Sequence, residues 1–169
     1  MKLKHLLLAT LALALIGGLG ALWLAPAGNT QAPNLTVTTL QGDKLSLANL
    51  RGQPVLVTFW ASTCTSCIRE MPHLIKLYNE LAPHGFEVIG IAMAYDPPNR
   101  VIAISRAKQI PYPLALDIDH AAATAFGNVS VTPSSFLIAP DGRIVLRKTG
   151  RLDTQKIRVL VLNMLSRST

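Results

Sequence analysis

Cysteine is scarce in this sequence. Only Cys64 and Cys67 occur among 169 residues. Two cysteines cannot form the multi-disulfide framework that staples a small secreted domain. They also make at most half of a structural zinc site, because there is no second Cys-x-x-Cys and the histidines at 73, 84 and 120 show no paired spacing. We therefore predict no metal site.

Charge is also sparse. Charged residues make up 15% of the chain, aromatic residues 5%, and the formal net charge is +7. Without Lys2 and Lys4, 14 basic residues remain against 9 acidic ones, a difference of +5. Because no Lys/Arg run is interleaved with aromatic residues, we predict no nucleic-acid partner. A solvated basic surface is favoured, and affinity for anionic lipid or an acidic partner is the alternative.

One long apolar run lies at the start of the chain. It extends from Leu6 to about Ala27 after a short basic stretch, and about 20 apolar residues suffice to cross a bilayer. We therefore interpret residues 1–28 as a signal anchor or a signal peptide. The absence of charge after His5 favours an anchor in the inner membrane with the domain facing the periplasm. Cleavage near Ala25-Pro26-Ala27 would instead leave a soluble periplasmic domain.

The rest of the chain is long enough for one domain. Residues 29–34 form a polar tether, and residues 35–167 form the domain. The sequence pattern predicts an N-terminal hairpin, buried strands over 55–60 and 86–93, helices between them, a hairpin over 134–147 and a last helix capped by Asp153. We expect Pro72 to interrupt the helix after the cysteines and to kink it. The fold class is α/β, with a mixed central sheet and helices on both faces.

The two cysteines lie where a buried strand meets a helix. There the sulfur of Cys64 is close to unpaired N–H groups and the positive end of the helix dipole, which favour a thiolate. Cys67 is about one turn further on and can close a small disulfide. Such a short loop constrains the unfolded chain little, so a purely structural disulfide is disfavoured. We predict a reversible redox centre, with Cys64 as nucleophile and Cys67 as resolving thiol, and no other cofactor.

Four motifs follow one another along the chain: Phe59-Trp60, Cys64-x-x-Cys67-x-x-Glu70-x-Pro72, Val131-Thr132-Pro133 and Pro140-Asp141-Gly142. In this order they resemble the thioredoxin fold, and more closely the exported TlpA/ResA-like thiol-disulfide oxidoreductases, over about residues 33 to 166. The resemblance implies a cis bond between Thr132 and Pro133 that faces the cysteines. It also implies that Thr132 offers its backbone to a substrate strand, and we assign Thr132, Pro133 and Trp60 to substrate binding.

Glu70 is the acid nearest to the cysteines in sequence. It follows Cys67 by three residues and so lies on roughly the same helical face. If it is partly buried, its pKa is raised and it can exchange protons with Cys67. The resemblance favours this role over that of a solvated helix carboxylate.

The resemblance also implies partners. We expect a monomer that reduces disulfides in protein substrates, such as apocytochrome c before haem attachment. A membrane thiol protein would supply the electrons.

The sequence departs from the family at several positions. Thr63 stands where the family has Trp, Thr65-Ser66 lacks the common Pro, and Thr58 stands where thioredoxins have a buried acid. A copper chaperone that uses both cysteines and His120 is the alternative function. A peroxidase is not expected, because Val57 and Ala61 occupy the positions where peroxiredoxins need Pro and Thr/Ser.

Overall fold

A computed structural model of the protein describes residues 30–167. The predicted anchor or signal peptide over residues 1–28 lies outside the described residues. Within the described part of the chain, no helix is both long and apolar enough to cross a membrane.

Seven strands and four α-helices make up this part of the chain. The strands are β1 (Thr36–Thr38), β2 (Lys44–Ser46), β3 (Val55–Trp60), β4 (Glu87–Ala92), β5 (Leu114–Leu116), β6 (Ser134–Ile138) and β7 (Ile144–Thr149). The helices are α1 (Thr65–Leu81), α2 (Pro98–Lys108), α3 (Ala121–Ala125) and α4 (Thr154–Leu165).

The central sheet has five strands in the order β5-β4-β3-β6-β7. Strands β3, β4 and β5 are parallel, whereas β6 and β7 run antiparallel to their neighbours. The predicted mixed sheet is therefore confirmed. Strand β3, which leads to the cysteines, is its middle strand. Strands β1 and β2 pair antiparallel in a separate two-stranded sheet.

Strand β3 is buried on both faces, as its continuous apolar run predicts. Leu56 and Trp60 face a core built with α1, α4 and Val101 of α2. Val57 and Phe59 face a second core, closed by α3 and by residues of the β1–β2 region. Helices therefore cover both faces of the sheet, as predicted.

Helix α1 continues through Pro72, where we predicted an interruption. Proline removes one hydrogen bond to the carbonyl four residues earlier. Pro72 lies on the exposed side of the helix, so water can reach that side. Met71, Leu74 and Leu77 are buried on the opposite side, and their packing holds both halves of the helix on the sheet.

The described part of the predicted tether lies against the last hairpin. The N–H of Ala32 donates to the carbonyl of Gly142 at 2.9 Å, and the N–H of Ile144 donates to the carbonyl of Thr30 at 3.0 Å. Residues 30–32 thus run antiparallel to the beginning of β7, because their polar backbone finds partners at the edge of that strand.

Phe59 holds the second core together next to the cysteine loop. Its ring makes edge-on contacts with Phe126 at 5.5 Å and Phe136 at 5.9 Å between centroids. We expect Phe59→Leu to lower the free energy of unfolding by about 1.5 kcal/mol, since it loses these contacts and leaves a gap. Urea denaturation measures this. Val145→Thr, at an exposed site on β7, should change it by less than about 0.5 kcal/mol, and equal losses would contradict the prediction.

Candidate active site

The carboxyl end of β3 and the beginning of β6 meet at the same end of the sheet, where the strands terminate and the loops begin. Phe59 near the end of β3 pairs with Ser134, the first residue of β6. The loop from Trp60 to Cys64 and the Thr132-Pro133 segment therefore emerge side by side. Chemistry in α/β sheets is commonly placed at this end of the sheet.

Cys64 and Cys67 form the predicted disulfide, with 2.09 Å between the sulfurs. Cys64 is the N-cap of α1, and the N–H of Cys67 donates to Cys64 Sγ at 3.2 Å. A thiolate at this position is stabilised by the unpaired N–H groups and dipole of the first turn.

The two sulfurs differ in accessibility. Cys64 is half-buried, whereas Cys67 is 3% exposed. A partner sulfur can therefore approach Cys64, while Cys67 is reached only from within the protein. This asymmetry supports Cys64 as nucleophile and Cys67 as resolving thiol.

Glu70 is 5% exposed, so it is not a solvated helix carboxylate. Its Oε1 accepts a hydrogen bond from the N–H of Leu152 at 2.5 Å. Burial raises the pKa of Glu70, and this effect outweighs the opposing effects of the Leu152 N–H, Arg151 and His73. The side chain therefore binds a proton more readily than an ordinary glutamate does.

Tyr112 lies in the same buried region. Burial, and secondly the charge of Glu70, raise the pKa of the Tyr112 phenol, so it stays neutral. Its ring packs edge-on against Tyr78, with 5.8 Å between centroids. Tyr112 and Glu70 are thus both buried, and burial is the largest cause of the raised pKa of each.

The bond between Thr132 and Pro133 is cis, as the resemblance implied. The carbonyl of Pro133 accepts from the N–H of Gly150 at 2.8 Å, which fixes the segment to the end of β7. Thr132 itself is half-buried, and its backbone groups make no hydrogen bond within residues 30–167.

Trp60, which we assigned to substrate binding, is 3% exposed. Its ring packs in the core beneath α1, and its Nε1 has no hydrogen-bond partner within the described residues. A side chain with so little surface cannot contact a protein substrate. We therefore correct this assignment: Trp60 supports the strand that carries the cysteine loop.

The copper alternative receives no support from the arrangement of ligands. Within residues 30–167, no three side chains of His, Cys, Asp or Glu come close enough together to hold a metal ion. His120 is exposed and precedes the short helix α3. It is therefore not brought into a ligand set with the cysteines.

Sequence reasoning missed Ser62 and Asp96 near the cysteines, and it named Ser66 only as a departure from the family. Ser66 Oγ lies 3.3 Å from Cys64 Sγ, and its hydroxyl can donate to a thiolate. Asp96 binds both the N–H and the hydroxyl of Ser62, two residues before Cys64. Asp96 precedes Pro97 and Pro98, and no local pattern marks it as a site residue. The sequence contains no signal of its distant partner.

Thr58 takes the place of the buried acid in thioredoxins. It is buried, and its hydroxyl lies 3.0 Å from that of Ser135 on β6. The hydrogen bond between these two neutral side chains satisfies both hydroxyl groups. Because Thr58 is not acidic, Glu70 remains the acidic residue nearest to the cysteines in sequence.

The model of the AhpC/TSA family matches residues 29–147. The thiol-disulfide oxidoreductase ResA of Halalkalibacterium halodurans is 34% identical over 134 residues, which are 79% of this chain and 74% of that protein. ResA of Bacillus thuringiensis strain Al Hakam is 32% identical over 75% of this chain and 72% of its own.

Among solved structures, a thiol:disulfide interchange protein of the thioredoxin family from Chlorobium tepidum superposes with a TM-score of 0.74. It is 27% identical, and the superposition covers 83% of this chain and 99% of the other. The chain therefore belongs to the AhpC/TSA family, and within it is a thiol-disulfide oxidoreductase with a thioredoxin-like fold, similar to ResA.

Proposed function

We propose that this protein is an exported reductase of disulfides in protein substrates, held at the inner membrane by its N-terminal segment. The proposal rests above all on the contrast between a half-buried Cys64 at a helix N-terminus and a buried Cys67 behind it. Relatives named thiol-disulfide oxidoreductase ResA support the same chemistry.

Reduction proceeds in two exchange steps. The Cys64 thiolate attacks a substrate disulfide, forms a mixed disulfide and releases one substrate sulfur as a thiolate. The Cys67 thiolate then attacks Cys64 Sγ and releases the second substrate sulfur. Two electrons pass to the substrate, and the Cys64–Cys67 disulfide remains. A thiol protein in the membrane returns two electrons to this disulfide.

Glu70 accepts the proton that the Cys67 thiol loses in the second exchange step. Cys67 is buried as a thiol and must lose its proton before it attacks. Glu70 follows it by three residues on α1 and, in its ionised form, accepts this proton. The raised pKa of Glu70 brings the carboxyl closer to the pKa of a thiol, which makes the transfer easier.

Thr132 positions the substrate. Its N–H and carbonyl are unused within the described residues and lie beside the loop that carries Cys64. An extended substrate segment can pair with these two groups as an added strand. Its cysteine is then held next to Cys64.

Export and the partners follow from the N-terminal sequence and the resemblance. The apolar run from Leu6 to about Ala27 supports export of the domain to the periplasmic side, where it is either anchored or released. There the domain acts as a monomer, and apocytochrome c before haem attachment is the expected substrate.

The redox equilibrium of the Cys64–Cys67 pair tests the direction of electron flow. In glutathione buffers of graded ratio, we expect the pair to behave as a reductant, with a potential below about −200 mV. Alkylation of the free thiols and mass spectrometry measure the reduced fraction. A potential near about −120 mV, typical of a strong oxidant, would contradict the proposed direction while leaving the exchange chemistry intact.

A further inference from the structure

Asp96 is a buried carboxylate whose partners lie in the cysteine loop. It is 3% exposed and follows the end of β4 by four residues. One carboxylate oxygen accepts from the N–H of Ser62 at 2.5 Å, and the other accepts from the Ser62 hydroxyl. A buried charge requires such donors, and here both come from one residue of the loop before Cys64.

The backbone around Asp96 is fixed on both sides. The N–H of Met93 donates to the carbonyl of Trp60 at 3.0 Å, which ties the end of β4 to the end of β3. The N–H of Asp96 donates to the carbonyl of Met93 at 2.9 Å, which closes a turn. Pro97 and Pro98 follow and restrict the backbone further. Asp96 is therefore a rigid support for its partner.

Ser62 belongs to the turn that ends at Cys64. The N–H of Cys64 donates to the carbonyl of Ala61 at 3.1 Å across this turn. Within the turn, Asp96 supplies the acceptors for the N–H and the hydroxyl of Ser62. The turn and the helix that starts at Thr65 together determine where Cys64 Sγ lies.

We propose that Asp96 is a positioning residue for the nucleophile: through Ser62 it holds the 61–64 turn so that the reduced Cys64 sulfur stays at the N–H groups of the first turn of α1. The proposal deepens the thiol-disulfide exchange activity and does not depend on the direction of electron flow. Without this support, the sulfur samples positions further from those donors. Less thiolate then forms at a given pH.

Asp117 provides a matched control. It is 4% exposed and accepts from the N–H groups of Ala122 and Ala123 at 2.8 and 2.9 Å. It therefore resembles Asp96 in burial and in its number of hydrogen bonds, but it holds α3 and not the cysteine loop. Loss of Asp117 should affect stability alone.

The experiment follows alkylation of Cys64 in the reduced full-length protein from pH 4 to 10, with the modified peptide identified by mass. For Asp96→Asn we expect the midpoint of the pH dependence of Cys64 alkylation to move to higher pH. The alkylation rate at neutral pH then falls about fivefold to tenfold. Ser62→Ala removes only the hydroxyl, and it should move the titration in the same direction by a smaller amount. Asp117→Asn should lower the urea midpoint and leave the titration where it is.

Three results would overturn the proposal. A downward shift in Asp96→Asn would mean that the negative charge of Asp96, and not its hold on the turn, dominates. An unchanged titration in Ser62→Ala would mean that the contact does not position the sulfur, and this variant decides the matter if Asp96→Asn does not fold. An equal shift in Asp117→Asn would mean that the effect is a general loss of stability.

Discussion

Replacing Cys64 with serine is expected to reduce disulfide exchange to the uncatalysed background. Replacing Cys67 with alanine should instead stop the reaction at the mixed disulfide. The reason is the difference in exposure: a substrate sulfur can reach Cys64, whereas only the Cys64 sulfur lies within reach of the buried Cys67. Without Cys67 the bond to the substrate forms and is not resolved.

The two variants are compared by incubating each, in its reduced form, with a disulfide-bonded peptide. Non-reducing electrophoresis and mass spectrometry then detect the covalent adduct. We expect the adduct to accumulate with Cys67→Ala, to be absent with Cys64→Ser, and to be transient with the natural pair. If Cys64→Ser formed the adduct through Cys67, the assignment of nucleophile and resolving thiol would have to be reversed.

Replacing Glu70 with glutamine is expected to slow the Cys67-dependent step by about a hundredfold near neutral pH. The amide keeps the shape of the side chain and can still accept from the N–H of Leu152, but it cannot take the proton of Cys67. The measurement is the pH profile of the release of substrate from the mixed disulfide. Glu80→Gln, an exposed position on the same helix, is the matched control.

The same pair of variants has a second, independent readout in stability. Because burial raises the pKa of Glu70 in the folded protein, the folded state binds this proton more tightly than the unfolded chain. The resulting stabilisation is fully present below the pKa of Glu70 in the unfolded chain and is lost as the pH rises through its higher pKa in the folded protein. Relative to Glu70→Gln, the natural protein should therefore become less stable between acidic and neutral pH. A difference that is flat with pH, together with an unchanged release rate, would reject the role.

The fold was largely predictable because its signals are local. Continuous apolar runs predicted the strands covered on both faces, and Asp153 predicted the beginning of α4, where its side chain accepts from the N–H of Lys156 at 3.1 Å. The continuity of α1 through Pro72 was not predictable, because the packing of residues on both sides of it outweighs a single lost hydrogen bond.

The site was predictable only in part. The spacing of Cys64, Cys67 and Glu70 on one helix is local, so their proximity followed from the sequence. The cis bond before Pro133 followed from the resemblance alone. The contact between Ser62 and Asp96 joins residues 34 positions apart, and a single sequence does not contain such a pairing. Trp60 was assigned to substrate binding, although it is the last residue of a strand that is buried on both faces, and its ring packs in the core.

The placement of residues 30–32 and 39–40 has a consequence for the outer strands of the central sheet. An uncovered outer strand can pair with a strand of another molecule and so seed aggregates. Here Leu40 donates to the carbonyl of Leu114 on β5, and residues 30–32 bridge the beginning of β7. Arg147 and Lys148 place two positive charges on the rest of β7. Both outer strands are thus partly covered or charged, and this opposes the addition of a further strand at either side of the sheet.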